Sequence, residues 1–412
     1  MIDYFYDAYL ILNKVYSEKT FIKQAISSTD IQEKYRSATI KTVYGVLDKD
    51  VELSYYIKKL SQKNPKLVIR TIIKISLYTI KYLKKAPYAV IDSAVELTKK
   101  LGKSAMSGFV NALLRRFVNE GVSMPNDDIE ALSIKYSYPE YAVKKLIDDY
   151  GIDIATKIMD YESDVSYLAF FDIDGEQYLK NKNVKYAKTP VNNVYEVSSF
   201  KMDDGFYNGD YTFQHVCSAG ICDLIEGGDT LIDVCSAPGG KSVNLSHKFK
   251  KVVSLELHQH RVELINSYAS RMKRDNITAV AHDSTTIIDE YKEKFDVCLC
   301  DVPCSGFGVV IDNPDIKLNR EESSIAELNK TQLAILNASS NYVKKGGFLY
   351  YSTCSVFQQE NQGIIDEFLS KNDDFIQLEI HSNLPNLKVK KGIQFLPHLS
   401  GGGFFIAKLQ RK

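Results

Sequence analysis

Apolar residues recur every three or four positions through the first 117 residues, the spacing that places them on one face of a helix. Val68, Ile72 and Ile75 are one such run. Pro65 and Pro87 are among the few breakers, and each suits a helix start, where a missing backbone N–H is tolerated. The pattern therefore predicts an all-α domain of five or more helices with its apolar faces packed inward.

The next hundred residues change character. Polar and turn-forming residues at 121–128 predict a linker, and a helical pattern at 141–150 ends at Gly151. Between 165 and 200 short strand patterns alternate with turns, which predicts a small α+β subdomain that packs on the domain after it. The two turn signals are Asp174-Gly175 and Asn192-Asn193.

From residue 229 onward, short apolar strands alternate with helical patterns, as in a doubly wound α/β sheet. Strands are predicted at 231–234, 252–256, 278–281, 297–300, 348–351 and 404–409. Helices are predicted at 241–249, 261–274, 325–343 and 361–369.

Composition places the chain among ordinary globular proteins, with 412 residues, 44% hydrophobic and 25% charged. No apolar run is long enough for a membrane span, and the N-terminus lacks the basic region of a secretory signal, so we expect a cytoplasmic protein without a membrane partner. Seven cysteines, an odd number, argue against a disulfide framework. Cys298 and Cys300 should share one face of a buried strand, so no metal site is expected there.

The net charge of zero conceals an asymmetry. Residues 1–125 carry 21 Lys and Arg against 11 Asp and Glu, whereas residues 126–412 carry 31 against 41. An excess of ten positive charges in the helical part favours a polyanionic partner over a merely soluble surface. The basic residues that could meet phosphates on one face are Lys81, Lys84, Lys85, Lys99, Lys100, Lys103, Arg115 and Arg116.

Two cysteines follow predicted strand ends. Cys304 lies in Asp301-Val302-Pro303-Cys304, and Cys354 lies in Thr353-Cys354, each just past an apolar run. Ligands bind at this edge of an α/β sheet, because the loops there carry no packing duty. Two thiols beside the Asp301 carboxylate therefore predict a nucleophile with a proton-handling partner.

A glycine-containing loop follows the first predicted α/β strand and opens a helix. Gly240-Lys241-Ser242 is an incomplete phosphate cradle, because a P-loop needs glycine where Cys235 stands, and the Gly-x-Gly-x-x-Gly dinucleotide pattern is missing. A nucleoside cofactor without pyrophosphate is the third possibility. Glu256 ends the second strand, where an acid binds ribose hydroxyls, and Asp283 follows the third, where it could meet an adenine amine. The combination suggests S-adenosylmethionine.

The motifs at these positions look like the signatures of the Nol1/Nop2/Sun family of RNA cytosine-C5 methyltransferases. They are segments 235–241, 301–306, 313–317 (Asn-Pro-Asp-Ile-Lys) and 353–355. Residues 43–47, 108–116 and 136–140 resemble the NusB-like domain and linker of its bacterial Sun/RsmB branch, which methylates 16S ribosomal RNA. The implied architecture is an all-α NusB-like RNA-binding domain at 1–125, linker helices with a small α+β subdomain at 126–212, and a Rossmann-like, doubly wound α/β methyltransferase domain at 213–412.

The resemblance also implies roles for individual residues. Cys354 would attack C6 of the cytosine, Cys304 would assist the elimination that frees the enzyme, and Asp301 would hydrogen-bond the base at N3 and its exocyclic amine. Lys241 and Pro303 would shape the substrate pocket. The cofactor would rest on Cys235, Ser236, Ala237, Pro238, Gly239, Gly240, Lys241, Glu256, Arg261, Asp283 and Asp301.

Physical chemistry is consistent with these roles. C5 of cytosine is a poor nucleophile, and thiolate addition at C6 divides one hard step into two easier ones. Lys241 or a helix N-terminus after Cys354 could favour the thiolate. Cys304, Asp301 or an ordered water could remove the C5 proton, and the base must be unpaired or flipped from its stack.

We therefore expect a monomeric S-adenosylmethionine-dependent methyltransferase whose partner is 16S ribosomal RNA, free or within a partly assembled small subunit. A family member directed at tRNA or another rRNA site, and a non-catalytic RNA-binding assembly factor, are the alternatives. Two departures from the family pattern stand out. Gly401-Gly402-Gly403 precedes Phe404-Phe405, whereas the family usually has an acid before the final Gly-Phe-Phe, and His215 follows Gln214 where an acid is usual.

Overall fold

A computed structural model describes residues 2–198 and 200–412. The chain forms two compact units. The first comprises the described residues up to Asp160 together with Val310–Glu321, and the second comprises Tyr161–Val309 and Glu322–Lys412. The domain boundaries at 125/126 and 212/213 stay predictions. Among the described residues, no helix has both the length and the apolar character that crossing a membrane requires.

Among the described residues, ten α-helices come first, and strands and helices follow from residue 165 onward. The α-helices are α1 Ile2–Glu18, α2 Ile22–Ser27, α3 Arg36–Asp48, α4 Asp50–Leu60, α5 Leu67–Lys81, α6 Pro87–Lys100, α7 Ser107–Glu120, α8 Asp128–Tyr136, α9 Glu140–Tyr150, α10 Ile152–Met159, α11 Gly175–Asn181, α12 Asp204–Asn208, α13 Val216–Leu224, α14 Gly240–Leu245, α15 Gln259–Arg271, α16 Ile316–Asn319, α17 Glu322–Ser340, α18 Gln362–Leu369 and α19 Pro397–Ser400. The strands are β1 Val165–Ala169, β2 Tyr186–Lys188, β3 Val194–Ser198, β4 Thr212–Phe213, β5 Gly228–Asp233, β6 Phe249–Glu256, β7 Ile277–Ala281, β8 Phe295–Asp301, β9 Val343–Thr353, β10 Phe375–Leu378, β11 Leu387–Val389, β12 Gly392–Phe395 and β13 Phe404–Arg411. Short 3-10 turns lie at Glu33–Tyr35, Ser104–Met106, Ser246–Lys248, Asp289–Tyr291 and Gln358–Glu360.

The first unit is helical, as the apolar spacing predicted. Ile72 and Ile75 on α5 are fully buried in its core, and Pro87 is the first residue of α6. Pro65 lies just before α5 rather than inside it. The predicted all-α domain is therefore confirmed.

The segment Val310–Glu321 packs within this helical unit. The buried Lys317 ammonium lies 2.7 Å from the Asp48 carboxylate, and the Ile22 amide donates to the Asp315 carboxylate at 3.2 Å. The motif at 313–317 therefore contacts α2 and α3, and none of its residues lines the cavity described below.

A small antiparallel sheet with the order β2-β3-β1-β4 opens the second unit. The turn predicted at Asn192-Asn193 connects β2 to β3, and Asn193 adopts a positive φ of 53°. The turn predicted at Asp174-Gly175 is wrong. Asp174 instead caps α11, because its carboxylate accepts a hydrogen bond from the Gln177 amide at 3.1 Å.

The large sheet has the order β11-β12-β13-β9-β8-β5-β6-β7, with β10 beside β13. Strands β5 to β9 are parallel, whereas β13 pairs antiparallel with β9. The predicted doubly wound sheet and its last strand are thus confirmed. The sequence missed β10, β11 and β12, which extend one edge and make the whole sheet mixed.

Both faces of this sheet are buried. Leu231 packs into one apolar cluster, whereas its neighbour Ile232 packs into another, as expected for parallel strands covered on both sides. Cys298 and Cys300 are 0% exposed and lie in the same cluster, which confirms that they occupy one face of a buried strand. The chain order reverses at β5, which lies between β6 and β8, so a crevice opens at their carboxyl ends.

Candidate active site

Two cysteines meet at the carboxyl edge of the large sheet. Cys304 follows β8 and Cys354 follows β9, and these strands are parallel neighbours. Their Sγ atoms lie 3.2 Å apart. Cys304 is buried and Cys354 is half-buried. The strand-end position of the two thiols therefore brings them together, as the sequence predicted.

Asp301 and Lys241 form an ion pair beside the cysteines. The Lys241 Nζ lies 2.5 Å from the Asp301 carboxylate, and the Ser352 hydroxyl donates to the same carboxylate at 2.6 Å. Burial disfavours the charged lysine, yet the neighbouring Asp301 charge outweighs it and raises the pKa of Lys241. The Lys241 ammonium also interacts electrostatically with the Cys354 sulfur.

A helix N-terminus does not support Cys354 in the way considered from sequence. Helix α18 begins only at Gln362, after a loop and a 3-10 turn. Lys241 is instead a cation that the fold brings into electrostatic interaction with Cys354. The Cys304 thiol differs from Cys354, because its hydrogen bond to Cys354 and its burial raise its pKa well above the ordinary value. This raised pKa keeps Cys304 in the protonated thiol form.

A cavity of about 450 Å³ opens between these groups and the ends of β6 and β7. The predicted site residues that line it are Cys235, Ala237, Glu256, Arg261, Asp283, Asp301, Pro303, Cys304 and Cys354. Ser236, Pro238, Gly239, Gly240 and Lys241 belong to the adjoining loop without lining the cavity. The structure therefore gathers the predicted residues around one hollow.

The loop from Cys235 to Lys241 is held by buried serines. The Ser242 hydroxyl donates to the Asp233 carboxylate at 2.6 Å and contacts the hydroxyls of Ser236 and Ser254. Burial raises the pKa of Asp233 to about 6. Gly239 adopts a φ of 104°, which a residue with a side chain rarely tolerates, and this turn leads into α14.

Acidic and basic side chains close the far end of the cavity. Arg261 donates to Glu256 Oε1 at 3.2 Å and to the Ala237 carbonyl at 3.1 Å, so it joins β6 to the loop. The amide of His258 also donates to Glu256 Oε1, at 3.2 Å. Thr285 hydrogen-bonds the exposed Asp283 carboxylate through its amide and hydroxyl, which lowers the pKa of Asp283.

Sequence reasoning missed part of the lining. The additional residues are Val234, Leu257, His258, His282, Ser284, Thr285, Val302, Thr331 and Ile335. Leu257, His258 and His282 directly follow β6 or β7, so the strand-end argument could have identified them. Thr331 and Ile335 lie on α17, and no local signal marks which of its faces meets the cavity.

The set of side chains fits a nucleoside cofactor without pyrophosphate. Glu256 is buried at the end of β6. The hydrogen bonds from His258 and Arg261 both end on Oε1, so Oε2 can accept hydrogen bonds from ribose hydroxyls. Leu257, Val302 and Ile335 offer apolar surface for a base, and the cavity extends to both cysteines. Within the described chain, no cluster of three or more His, Cys, Asp or Glu side chains could hold a metal ion.

Both departures from the family pattern have structural explanations. An acid before Gly403 would stand at Gly402, where an added Cβ would lie 2.5 Å from Cε1 of His215, so the imidazole ring occupies the space that a side chain would need. His215 caps α13, because its Nδ1 accepts a hydrogen bond from the Cys217 amide at 3.1 Å, as an acid could.

The basic residues proposed to meet phosphates lie in two different environments, one half-buried and one exposed. Lys81 is an internal partner that lies 2.5 Å from the buried Glu52 carboxylate. The more peripheral side chains, all exposed, are Lys84, Lys85, Lys99, Lys100, Lys103, Arg115 and Arg116. Those seven therefore remain candidates for contact with phosphates.

Comparison with known proteins places this site in context. A family model described as 16S rRNA methyltransferase RsmB/F matches residues 224–410, and the NusB family model matches residues 6–119. The chain is 31% identical to the probable ribosomal RNA small subunit methyltransferase B of Bacillus subtilis (strain 168), over 97% of this chain and 96% of that protein.

Two solved structures share the fold. PH0851 superposes with a TM-score of 0.84 at 20% identity, covering 100% of this chain and 98% of its own. NSun6 from Pyrococcus horikoshii, solved with SFG, superposes with a TM-score of 0.57 at 17% identity, covering 67% of this chain and 99% of its own.

Proposed function

This chain belongs to the RsmB/F family of 16S rRNA methyltransferases, and we propose that it methylates C5 of a cytosine in 16S ribosomal RNA through a transient cysteine adduct. Membership agrees with the resemblance found in the motifs, and it makes the chain a ribosomal RNA methyltransferase. The choice of 16S rRNA and of C5 of a cytosine, the cysteine chemistry and the cytoplasmic location are the proposed part. The observation that carries the proposal is the 3.2 Å separation of the Cys304 and Cys354 sulfurs at one cavity.

S-adenosylmethionine is the proposed methyl donor. Glu256 would hold its ribose hydroxyls, Asp283 its adenine amine, and the loop from Cys235 to Lys241 would form the floor beneath it. NSun6, which shares the fold, was solved with SFG, an analogue of this compound. When bound, the cofactor supplies an electrophilic methyl group to C5 of the base.

Cys354 is the proposed nucleophile. It is the more exposed of the two thiols and the one that interacts with the Lys241 cation. Its thiolate would form a bond to C6 and move electron density through C5 toward N3. Asp301, at the end of β8, would hold a proton at N3 and accept a hydrogen bond from the exocyclic amine. C5 would then be electron-rich enough to take the methyl group.

Cys304 is the proposed partner in product release. After transfer, loss of the C5 proton restores the C5–C6 double bond and expels the Cys354 thiolate. The Cys304 thiol is in contact with the departing sulfur and could protonate or orient it. Cys304, Asp301 or a water molecule could remove the C5 proton. Pro303, which is exposed at the cavity, would border the base, which must be unpaired or flipped to enter.

The two cysteines can be tested separately. With a 16S rRNA transcript and S-adenosylmethionine, Cys354→Ala should transfer no methyl group, whereas Cys304→Ala should accumulate an SDS-stable protein–RNA adduct. Cys298→Ala removes a thiol buried in the same sheet and should retain activity. Methyl transfer by Cys354→Ala would contradict the mechanism, and a non-catalytic assembly factor would show no activity in any variant.

The target nucleotide needs a second experiment. Bisulfite sequencing of RNA from cells that lack the gene should reveal one or more unmethylated cytosines in 16S rRNA. An unchanged 16S pattern with a lost tRNA or other rRNA modification would instead favour a different RNA substrate. Methylation of the purified transcript, compared with small-subunit assembly intermediates, would identify the form of the substrate.

A further inference from the structure

Glu360 is a buried carboxylate between the two cysteine loops. It is 0% exposed and lies in the 3-10 turn Gln358–Glu360. It accepts hydrogen bonds from the Ser305 amide at 2.7 Å, the Ser305 and Ser355 hydroxyls at 2.5 Å each, and the Gln332 carboxamide at 3.1 Å. All of these donors are neutral. Because a buried carboxylate is costly even when neutral groups donate to it, its position calls for a role beyond packing.

The contacts of Glu360 surround Cys304 on both sides. Ser305, which follows Cys304, binds Glu360 through its amide and its hydroxyl. Gln332, which binds Glu360, also donates to the carbonyl of Pro303 at 3.0 Å, directly before Cys304. The residues that flank this thiol are therefore anchored to one pair of buried side chains.

Cys354 depends less on Glu360. It follows the last residue of β9, and the next residue, Ser355, contacts Glu360 through its hydroxyl. The Ser355 carbonyl is held separately by the Asn361 carboxamide at 3.0 Å. Loss of Glu360 should therefore displace the Cys304 thiol more than the Cys354 sulfur.

We propose that Glu360, acting through Ser305 and Gln332, is the positioning residue that holds the Cys304 thiol against the Cys354 sulfur for product release. The inference rests on the proposed function, since it assumes that Cys304 serves the elimination step. It assigns Glu360 no contact with the RNA or with the methyl donor.

The charge of Glu360 also affects Cys304, because it contributes to raising the pKa of that thiol. The hydrogen bond to Cys354 and burial are the main causes that raise the pKa of Cys304, and the charges of Cys354 and Glu360 add to them. Tyr351, a titratable group, also contacts this turn, because its hydroxyl donates to the Glu360 carbonyl at 2.6 Å. The Glu360 charge thus makes a smaller contribution, after Cys354 and burial, to keeping Cys304 a thiol.

The test compares adduct release in several variants. With the 16S rRNA transcript and S-adenosylmethionine, Glu360→Ala should accumulate SDS-stable adduct about tenfold above wild type, as Cys304→Ala does, because a displacement of even 1 Å slows a positioned step strongly. Glu360→Gln and Gln332→Met, which retain part of the hydrogen-bond network, should accumulate intermediate amounts. Glu367→Ala, which removes an exposed carboxylate on α18, should behave as wild type.

Each outcome has a distinct meaning. If Glu360→Ala slows adduct formation and methyl transfer equally, with no accumulation, Glu360 serves the fold alone and the inference is wrong. If Cys304→Ala itself accumulates no adduct, the proposed function is wrong and the inference with it. Should Glu360→Ala not fold, Glu360→Gln and Gln332→Met decide by the same measurement.

Discussion

Gly308→Ala should reduce methyl transfer sharply, because Gly308 links the Cys304 loop to two other loops. Its amide donates to the Cys354 carbonyl at 3.0 Å, and its carbonyl accepts from the Gly403 amide at 2.7 Å. A Cβ at this position would lie 1.8 Å from the Gly403 oxygen and 2.5 Å from its carbonyl carbon. Both obstructing atoms belong to the backbone, so a rotamer change cannot relieve the clash.

The size of the effect follows from the required displacement. Non-bonded carbon and oxygen atoms do not approach closer than about 3 Å, so the loops must separate by about 1.2 Å. A misplacement of about 1 Å at reacting groups costs about 100-fold in rate. Overpacking of this kind also lowers the free energy of unfolding by about 1–3 kcal/mol.

The assay is the initial rate of methyl transfer from labelled S-adenosylmethionine to the 16S rRNA transcript, with urea unfolding measured alongside. Gly108→Ala is the matched control, because Gly108 lies in α7 and its added Cβ would have no atom within 4 Å. That control should retain the wild-type rate. A folded Gly308→Ala enzyme that works within a few-fold of wild type would refute the argument that backbone contact aligns the cysteines.

Two further predictions concern pH and salt. Burial raises the pKa of Asp233 to about 6 from 3.8 in the unfolded chain, so the folded state retains a proton that the unfolded state loses, and stability falls as pH rises through this window. The full loss is on the order of 3 kcal/mol, of which about 1.4 kcal/mol falls between pH 5 and pH 7.5. Urea unfolding at these two pH values should show this smaller loss in the wild type and not in Asp233→Asn. Equal pH dependence in both proteins would contradict this assignment. Reversing the exposed Lys84, Lys85, Arg115 and Arg116 to Glu should weaken RNA binding and flatten its salt dependence, measured by filter binding across salt concentrations. An unchanged slope would exclude these side chains from RNA contact.

Much of the candidate site could be predicted because its determinants are local. Cys304 and Cys354 each stand just past an apolar strand, and the carboxyl ends of neighbouring parallel strands share one edge. Glu256 and Asp301 are the last residues of their strands, so they reach the same crevice. The helical first unit could be predicted equally well, because its apolar residues recur at helical spacing throughout.

Other features could not be derived from local pattern. Asp174-Gly175 has the composition of a turn, but an aspartate can also cap a helix. In the structure Asp174 caps α11, because the residues that follow it form that helix. Strands β10 to β12 are short and weakly patterned, and pairing with β13 and with each other stabilises them. The motif at 313–317 packs with the helical unit, a location its residue types do not indicate.

The sequence by itself determined the reacting groups, since the strand that precedes each one sets its position at the sheet edge. Only the tertiary structure decided how those groups are held. Gln332 lies on α17, Glu360 lies in a 3-10 turn, and Gly403 directly precedes the last strand. Their partners are distant in sequence, and a buried hydrogen bond or a close backbone contact forms only after folding has brought both sides together.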